Sequence, residues 1–281
     1  AGNWFWGNTA NSFSKSLFGR RDADGFVLDG FRPFTSGSHI ADYLQVAWED
    51  RDTNARSFAA IPANRDGIRI ENDWDGFGQR QTGSGRVTYT GVRIHRNEVF
   101  DHKPDGGRPY QTVTPFLQQS TLLNVFIGSA QGALITARDY TRETSRPWLH
   151  SGVEKHTDDP WVRRVYGELY TRVKAATLLA DEAAATLDRV WSRGRDLTPQ
   201  ERGEAAVVIA GANAHAGEVA LDVTSRIFEV MGARSATIAN GYDRFWRNVR
   251  IHTLHNPAEY KTRNVGNWFL TGVHPEPSAF Q

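Results

Sequence analysis

Asp101-His-Lys-Pro-Asp-Gly-Gly-Arg-Pro109 decides the architecture, because the chain changes periodicity across it. The stretch is polar and punctuated by Pro and Gly, the chemistry of a connector. Before it, Phe26-Val-Leu-Asp-Gly30, Tyr43-Leu-Gln-Val-Ala-Trp48, Ser57-Phe-Ala-Ala-Ile61, Gly67-Ile-Arg-Ile-Glu71 and Arg86-Val-Thr-Tyr-Thr90 are short, β-branched or aromatic runs. They alternate in polarity and are separated by Gly, Asp and Asn at the spacing of a barrel or sandwich. After it, apolar residues recur at helical spacing from Thr112 to about Thr144 (Val113, Phe116, Leu117, Leu123, Phe126, Ile127, Ala130, Leu134, Ala137). Asp158-Asp159-Pro160, an N-cap with Pro in the first turn, announces a second helix to about Trp191. Thr198-Pro-Gln-Glu201 is a capping box that opens a third, ending near Gly232. Each spans about 30 residues, roughly 45 Å at 1.5 Å per residue. A fourth, broken helix is expected over roughly 242–271, interrupted near Asn256-Pro257. The reading is an α+β protein, with a β-barrel or sandwich over 1–103 and an antiparallel four-helix bundle over 111–281.

Composition narrows the function classes. At 281 residues the chain is long enough to bury a real core. A net charge of +1 with no long basic run gives nucleic-acid binding no electrostatic support. The absence of Cys removes disulfides, thiolate chemistry and cysteine-based metal sites, and fits a reducing cytoplasm. No uninterrupted apolar run of membrane-spanning length and no signal-peptide pattern is seen, so no membrane partner is expected. Ala1-Gly-Asn-Trp-Phe-Trp-Gly-Asn8 reads like the interior of a domain. Leaving such rings bare would cost about 1.5–3 kcal/mol each, so a preceding segment or another chain is expected to cover them.

The segment Tyr242-Asp-Arg-Phe-Trp-Arg-Asn-Val-Arg-Ile-His-Thr-Leu-His-Asn-Pro257 crowds aromatic rings, Arg244, Arg247, Arg250 and two histidines together. It does not fit a solvated helix or a plain core helix. Alongside it stand Phe34-Thr-Ser-Gly37, Trp74-Asp-Gly-Phe-Gly-Gln-Arg-Gln-Thr-Gly-Ser-Gly85, Ser145-Arg-Pro-Trp148, Asp158-Asp-Pro-Trp161 and Phe228-Glu-Val-Met-Gly-Ala-Arg234. The tail continues through Tyr260-Lys261, Val265-Gly266, Leu270-Thr-Gly272 and Pro275. Together and in this order, these motifs resemble the flavin-dependent monooxygenase branch of the acyl-CoA dehydrogenase superfamily, most closely its dibenzothiophene-oxidising members. The resemblance covers essentially the whole chain and matches the middle β-domain and C-terminal bundle of that fold. The superfamily's N-terminal helical domain has no counterpart here, and the chain is expected to be part of a longer polypeptide.

The resemblance implies a two-component enzyme. Reduced FMN would be supplied by a separate NAD(P)H:flavin reductase, O2 would add at the flavin C4a as a hydroperoxide, and one oxygen would pass to an aromatic sulfur heterocycle such as dibenzothiophene. It implies a homotetramer, a dimer of dimers. Ser36 would meet the flavin N5/C4a edge, Asn8 would lie near flavin and substrate, and Trp74 would pack on the isoalloxazine. Arg146 and Arg234 would hold the phosphate, at a site built across a subunit contact so that Arg146 serves the neighbouring protomer, with Ser84 adding a hydroxyl. His255 would serve as proton donor or acceptor beside the flavin. Two arginines for one phosphate, and no recognisable adenine site, favour FMN over FAD.

Bland alternatives stand beside these roles: Ser36 and Ser84 as turn residues, Trp74 as core, the arginines as surface charges and His252 as structural. His252 and His255, at i, i+3, are expected to share a helix face, and no further ligands support a metal there. Asn256 stands where acyl-CoA dehydrogenases have the Glu that removes a substrate proton. Asn has no ionisable group for that task, and it also reads as the N-cap before Pro257. An FAD-dependent dehydrogenase with a relocated base, or a non-catalytic oligomeric flavin-fold binding protein, stays open as the alternative.

Overall fold

The computed structural model describes residues 2–11, 13–100 and 108–278, so most of the connector, 101–107, lies outside the described residues. Contacts divide the chain into Ala1–Pro104 and Asp105–Gln281.

The first unit is one sheet built around a long central strand. In chain order the strands are β1 (Trp6–Thr9), β2 (Leu17–Asp22), β3 (Gly25–Arg32), β4 (Tyr43–Asp50), β5 (Arg56–Pro62), β6 (Ile68–Ile70), β7 (Val87–His95) and β8 (Val99–Phe100). The path is β6-β7-β3-β2-β4-β5-β8, with β1 also on β4. β1 and β2 share one edge of β4 in succession, both parallel to it: Trp6–Thr9 lie opposite Tyr43–Val46, then Phe18 and Gly19 opposite Glu49 and Asp50. The remaining pairs are antiparallel.

Alternation places Leu17, Leu28, Leu44, Val46, Trp48, Ile61, Val87, Tyr89, Val92 and Ile94 in one core. Gly19 is required by that core, because a Cβ there would collide with the Trp48 indole. Arg32 is fully buried, donating to Glu49 Oε2 at 2.9 Å and to the Ala47 carbonyl at 2.7 Å. Burial lowers its pKa, an effect opposed by Glu49.

Among its described residues the second unit has five α-helices: α1 (Thr114–Glu143), α2 (Pro160–Arg193), α3 (Pro199–Met231), α4 (Arg244–Thr253) and α5 (Ala258–Thr271). The expected starts of α2 and α3 are seen as bonds. Asp159 accepts from Trp161 N at 2.8 Å, and Thr198 and Glu201 form a reciprocal capping box. α3 is the centre, packed on α1, α2, α4 and α5. A helix with neighbours on so many sides is apolar around most of its circumference. α3 accordingly buries Ala205, Ala206, Ile209, Ala212, Ala216, Val219, Ala220, Val223 and Ile227.

α1 is long and apolar enough, by length and composition alone, to cross a membrane, which the sequence reading did not register. Its Phe116, Leu123, Phe126, Ala130 and Ala137 are buried in the bundle core instead. The fourth helix is broken as expected, but Asn256 is not its cap. Pro257 holds the N-cap position with extended backbone, and no side chain caps α5.

Candidate functional site

Two turns of the β unit, one carrying Ser36 and the other Ser84, are clasped together, with Asn8 and Trp74 beside them. Thr35 N and Thr35 Oγ1 both donate to the Gly85 carbonyl, at 3.1 and 2.8 Å, and Gly37 N donates to Thr82 O at 3.0 Å. Asn8, exposed on β1, donates its backbone N–H to Ser36 O at 3.1 Å. Across the clasp, Ser36 Oγ lies 2.7 Å from Ser84 Oγ, which lies 2.7 Å from Thr82 Oγ1. Ser36 is exposed and Ser84 is buried. Trp74, half-buried, donates Nε1–H to the Gln79 carbonyl at 3.0 Å and meets the Phe34 ring edge-on at 6.3 Å. The structure therefore brings Asn8, Ser36, Trp74 and Ser84 into one neighbourhood.

The backbone there is strained. Phe34 and Gln79 are non-glycine residues held left-handed, with φ of 57° and 49°. Such conformations cost about 1–3 kcal/mol each and collect at functional sites. Phe34 consequently presents its ring to solvent beside Ser36.

In the helical unit, Arg146 and Arg234 line the same cavity of about 710 Å³, with Trp148, His156 and Trp161. Their backbones are fixed from both sides. Ser145 Oγ donates to Met231 O at 2.8 Å, and His156 Nε2 donates to Val230 O at 2.9 Å. Asn240 Nδ2 donates to Arg234 O at 3.0 Å, closing the turn that follows α3. The carboxylates in the lining are committed elsewhere, Asp159 to its cap and Glu229 to Arg226. Among the described residues neither Arg146 nor Arg234 makes an ion pair. Two uncompensated guanidinium forks in one cavity are the donor set for a phosphate.

A second cavity of the helical unit, about 690 Å³, is lined by Phe126, His215, Glu218, His252 and Asn256 among others, and His255 is not in its lining. α4 stops at Thr253, so His255 sits in the turn beyond the helix, its backbone N–H donating to His252 O at 3.1 Å. The expected shared helix face is therefore absent: His252 faces the cavity, edge-on to Phe126 at 6.4 Å. Desolvation lowers the His252 pKa, and His255 adds to the effect. His255 is exposed at the surface, but crowding still lowers its pKa through desolvation; a hydrogen bond with Asn256 opposes this and Lys261 reinforces it. Both imidazoles are thus biased toward the neutral form relative to a free histidine. Lys261 is buried on α5, and desolvation brings its pKa down to about 8.

Sequence reasoning missed Thr82, Thr35 and Lys261. Lys261 stands in the Tyr260-Lys261 pair of the tail, but its burial shows only in the structure. Thr82 bonds to Gln79 and Ser84 within its own turn, whereas Thr35 meets the Gly85 carbonyl, a partner 50 positions away that only the fold supplies.

Residues 121–259 match the family model "Acyl-CoA dehydrogenase, C-terminal domain". The chain is 37% identical to a probable FMNH2-dependent monooxygenase, SfnC, of Pseudomonas putida, over 99% of this chain and 70% of that protein. It superposes on methanesulfinate monooxygenase MsuC from Pseudomonas fluorescens with a TM-score of 0.95 at 37% identity, covering 99% of this chain and 72% of that one. It also superposes on dibenzothiophene monooxygenase TdsC from Paenibacillus sp. A11-2 with a TM-score of 0.91 at 37% identity, covering 99% and 72%. TdsC has been solved with FMN and indole bound.

Proposed function

Because the chain belongs to the flavin-dependent monooxygenase branch of the acyl-CoA dehydrogenase superfamily, we propose that it oxygenates an organosulfur substrate using reduced FMN and O2. The substrate class we favour is an aromatic sulfur heterocycle such as dibenzothiophene. When bound, the flavin supplies the oxygen activation; the protein binds, orients and excludes water. The observation that carries the reading is that Arg146 and Arg234, neither of them in an ion pair among the described residues, line one cavity.

Each residue then has a task. Arg146 and Arg234 grip the FMN phosphate, Ser36 meets the N5 edge of the ring, Trp74 packs against the ring, Asn8 lies near flavin and substrate, and Ser84, expected on the phosphate, is better placed to support the Ser36 turn to which it is bonded. His255 would hold a hydrogen bond to the reacting oxygen with its ring N–H, as proton donor or acceptor beside the flavin. Oxidation at sulfur needs no proton removed from the substrate, in keeping with an amide at Asn256. We further propose a cytoplasmic homotetramer served by a separate NAD(P)H:flavin reductase, in which the phosphate held at the Arg146 and Arg234 cavity belongs to a neighbouring protomer's flavin. Exposed Tyr170 and Leu178 on α2, and Phe269 and Leu270 on α5, support burial between copies.

The likeness to methanesulfinate monooxygenase favours a second reading of the substrate, a small sulfinate. Incubation with a flavin reductase, NADH, FMN and either dibenzothiophene or methanesulfinate, followed by mass spectrometry, separates the two. Mass gain on dibenzothiophene supports the first reading, and gain on the sulfinate alone replaces it.

A further inference from the structure

The Gln79–Gly85 turn fixes which way the Ser36 hydroxyl points its proton. A hydroxyl has one proton to donate and two lone pairs to accept with. The Gln79 carbonyl only accepts, so Thr82 Oγ1, 2.8 Å away, spends its proton there. Thr82 must then accept from Ser84 Oγ at 2.7 Å. Ser84, its proton used, must accept from Ser36 Oγ at 2.7 Å. The direction is anchored at its inner end: the same carbonyl takes Trp74 Nε1–H, and Gln79 is held left-handed. Ser84 is only 8% exposed, which keeps water from replacing its partners. At the outer end, exposed Ser36 is left with lone pairs and no proton to offer.

We propose that Ser84 and Thr82 are positioning residues that make Ser36 an obligate hydrogen-bond acceptor, so that the site selects reduced over oxidised flavin. The proposal rests on the reading that Ser36 meets the flavin N5 edge. Reduced flavin carries an N–H at N5, whereas oxidised flavin carries a lone pair. An acceptor pairs with the first and opposes the second. A protein that receives reduced flavin from solution gains from such a filter, because oxidised flavin then competes poorly for the site. Ser84 acts through Ser36 in this account and makes no contact with the phosphate.

The test is an anaerobic titration of the full chain with oxidised FMN and with dithionite-reduced FMN, together with the midpoint potential of the bound flavin. Ser84→Ala frees the Ser36 proton. Oxidised FMN then binds about fivefold tighter while reduced FMN changes little. That ratio corresponds to a potential lower by about 20 mV, at 29.6 mV per tenfold for two electrons. Thr82→Val shifts the ratio in the same direction and covers the case in which Ser84→Ala fails to fold. Ser36→Ala weakens reduced FMN and spares oxidised FMN. Equal weakening of both redox states by Ser84→Ala and Thr82→Val overturns the proposal, since a purely structural role would do that. If Ser36→Ala behaves as expected but neither other variant moves the ratio, the relay is wrong and the site reading survives. If Ser36→Ala alters neither affinity while FMN still binds, the placement of Ser36 is wrong and the relay falls with it.

Discussion

Arg146→Ala removes one of the two guanidinium groups that line the cavity of about 710 Å³. A hydrogen bond to a charged group contributes about 1.5–3 kcal/mol. Arg146 is exposed, so the lower end applies. A loss of about 1.5 kcal/mol weakens reduced FMN roughly tenfold. Reduced riboflavin has the same ring and no phosphate, so its affinity should not change. If Arg234 grips the same phosphate, the double variant should depart from additivity by about 0.5 kcal/mol or more. Anaerobic fluorescence titration of both flavins against wild type, the two single variants and the double variant supplies every number needed. Light scattering on the same samples separates a lost contact from a lost assembly. Equal weakening of FMN and riboflavin by Arg146→Ala would refute the phosphate role, because the arginine would then be supporting the ring or the fold.

His255→Ala should lower the oxygenation rate per bound flavin while leaving FMN affinity nearly unchanged, and stopped-flow with a binding titration distinguishes this from the reverse pattern. His252 and His255 both have lowered pKa values in the folded state. The unfolded chain therefore binds protons first on acidification, so stability should be complete above the ordinary histidine pKa of about 6.5 and decline below it. Urea melts at pH 7.5 and 5.5 test the sign, and a double His→Gln variant should flatten the dependence. Lys261→Met should raise the His255 pKa, since Lys261 contributes to lowering it; an unchanged imidazole titration by NMR would remove that coupling. Glu49→Ala strands the buried Arg32 charge beside a second cation, Arg56, and should destabilise the protein by about 3–5 kcal/mol in denaturant melts, whereas a loss under 1 kcal/mol would mean that water relieves it.

The starts of α2 and α3 were legible because their signals are local. Asp159 and Thr198 cap the turns they begin, and the bonds run to residues two or three positions away. β1 and β2 were not legible. Trp6-Gly-Asn-Thr9 and the Gly19-Arg-Arg21 portion of β2 have weak strand propensity, and each is a strand because β4 supplies its edge. Gly19 answers to Trp48, a partner that no local pattern reveals. The site divides in the same way. Ser36, Trp74, Arg146 and Arg234 came from short motifs, and the structure shows which of them meet. The hydroxyl series joins Ser36 to Ser84 across a separation of 48 residues, so only the folded sheet could display it. The spacing of His252 and His255 misled because it assumed a helix that ends at Thr253. Asn256 misled because the cap position passed to Pro257.

The central claim is that this chain transfers one atom of O2 to sulfur and removes no proton from its substrate. Reduced FMN, ¹⁸O2 and an organosulfur substrate, mixed with the full chain and read by mass spectrometry, test it most directly. The account predicts one ¹⁸O atom in the product per flavin consumed, with the second in water. Unlabelled substrate, together with bleaching of the bound flavin by an acyl-CoA under anaerobic conditions, would contradict it.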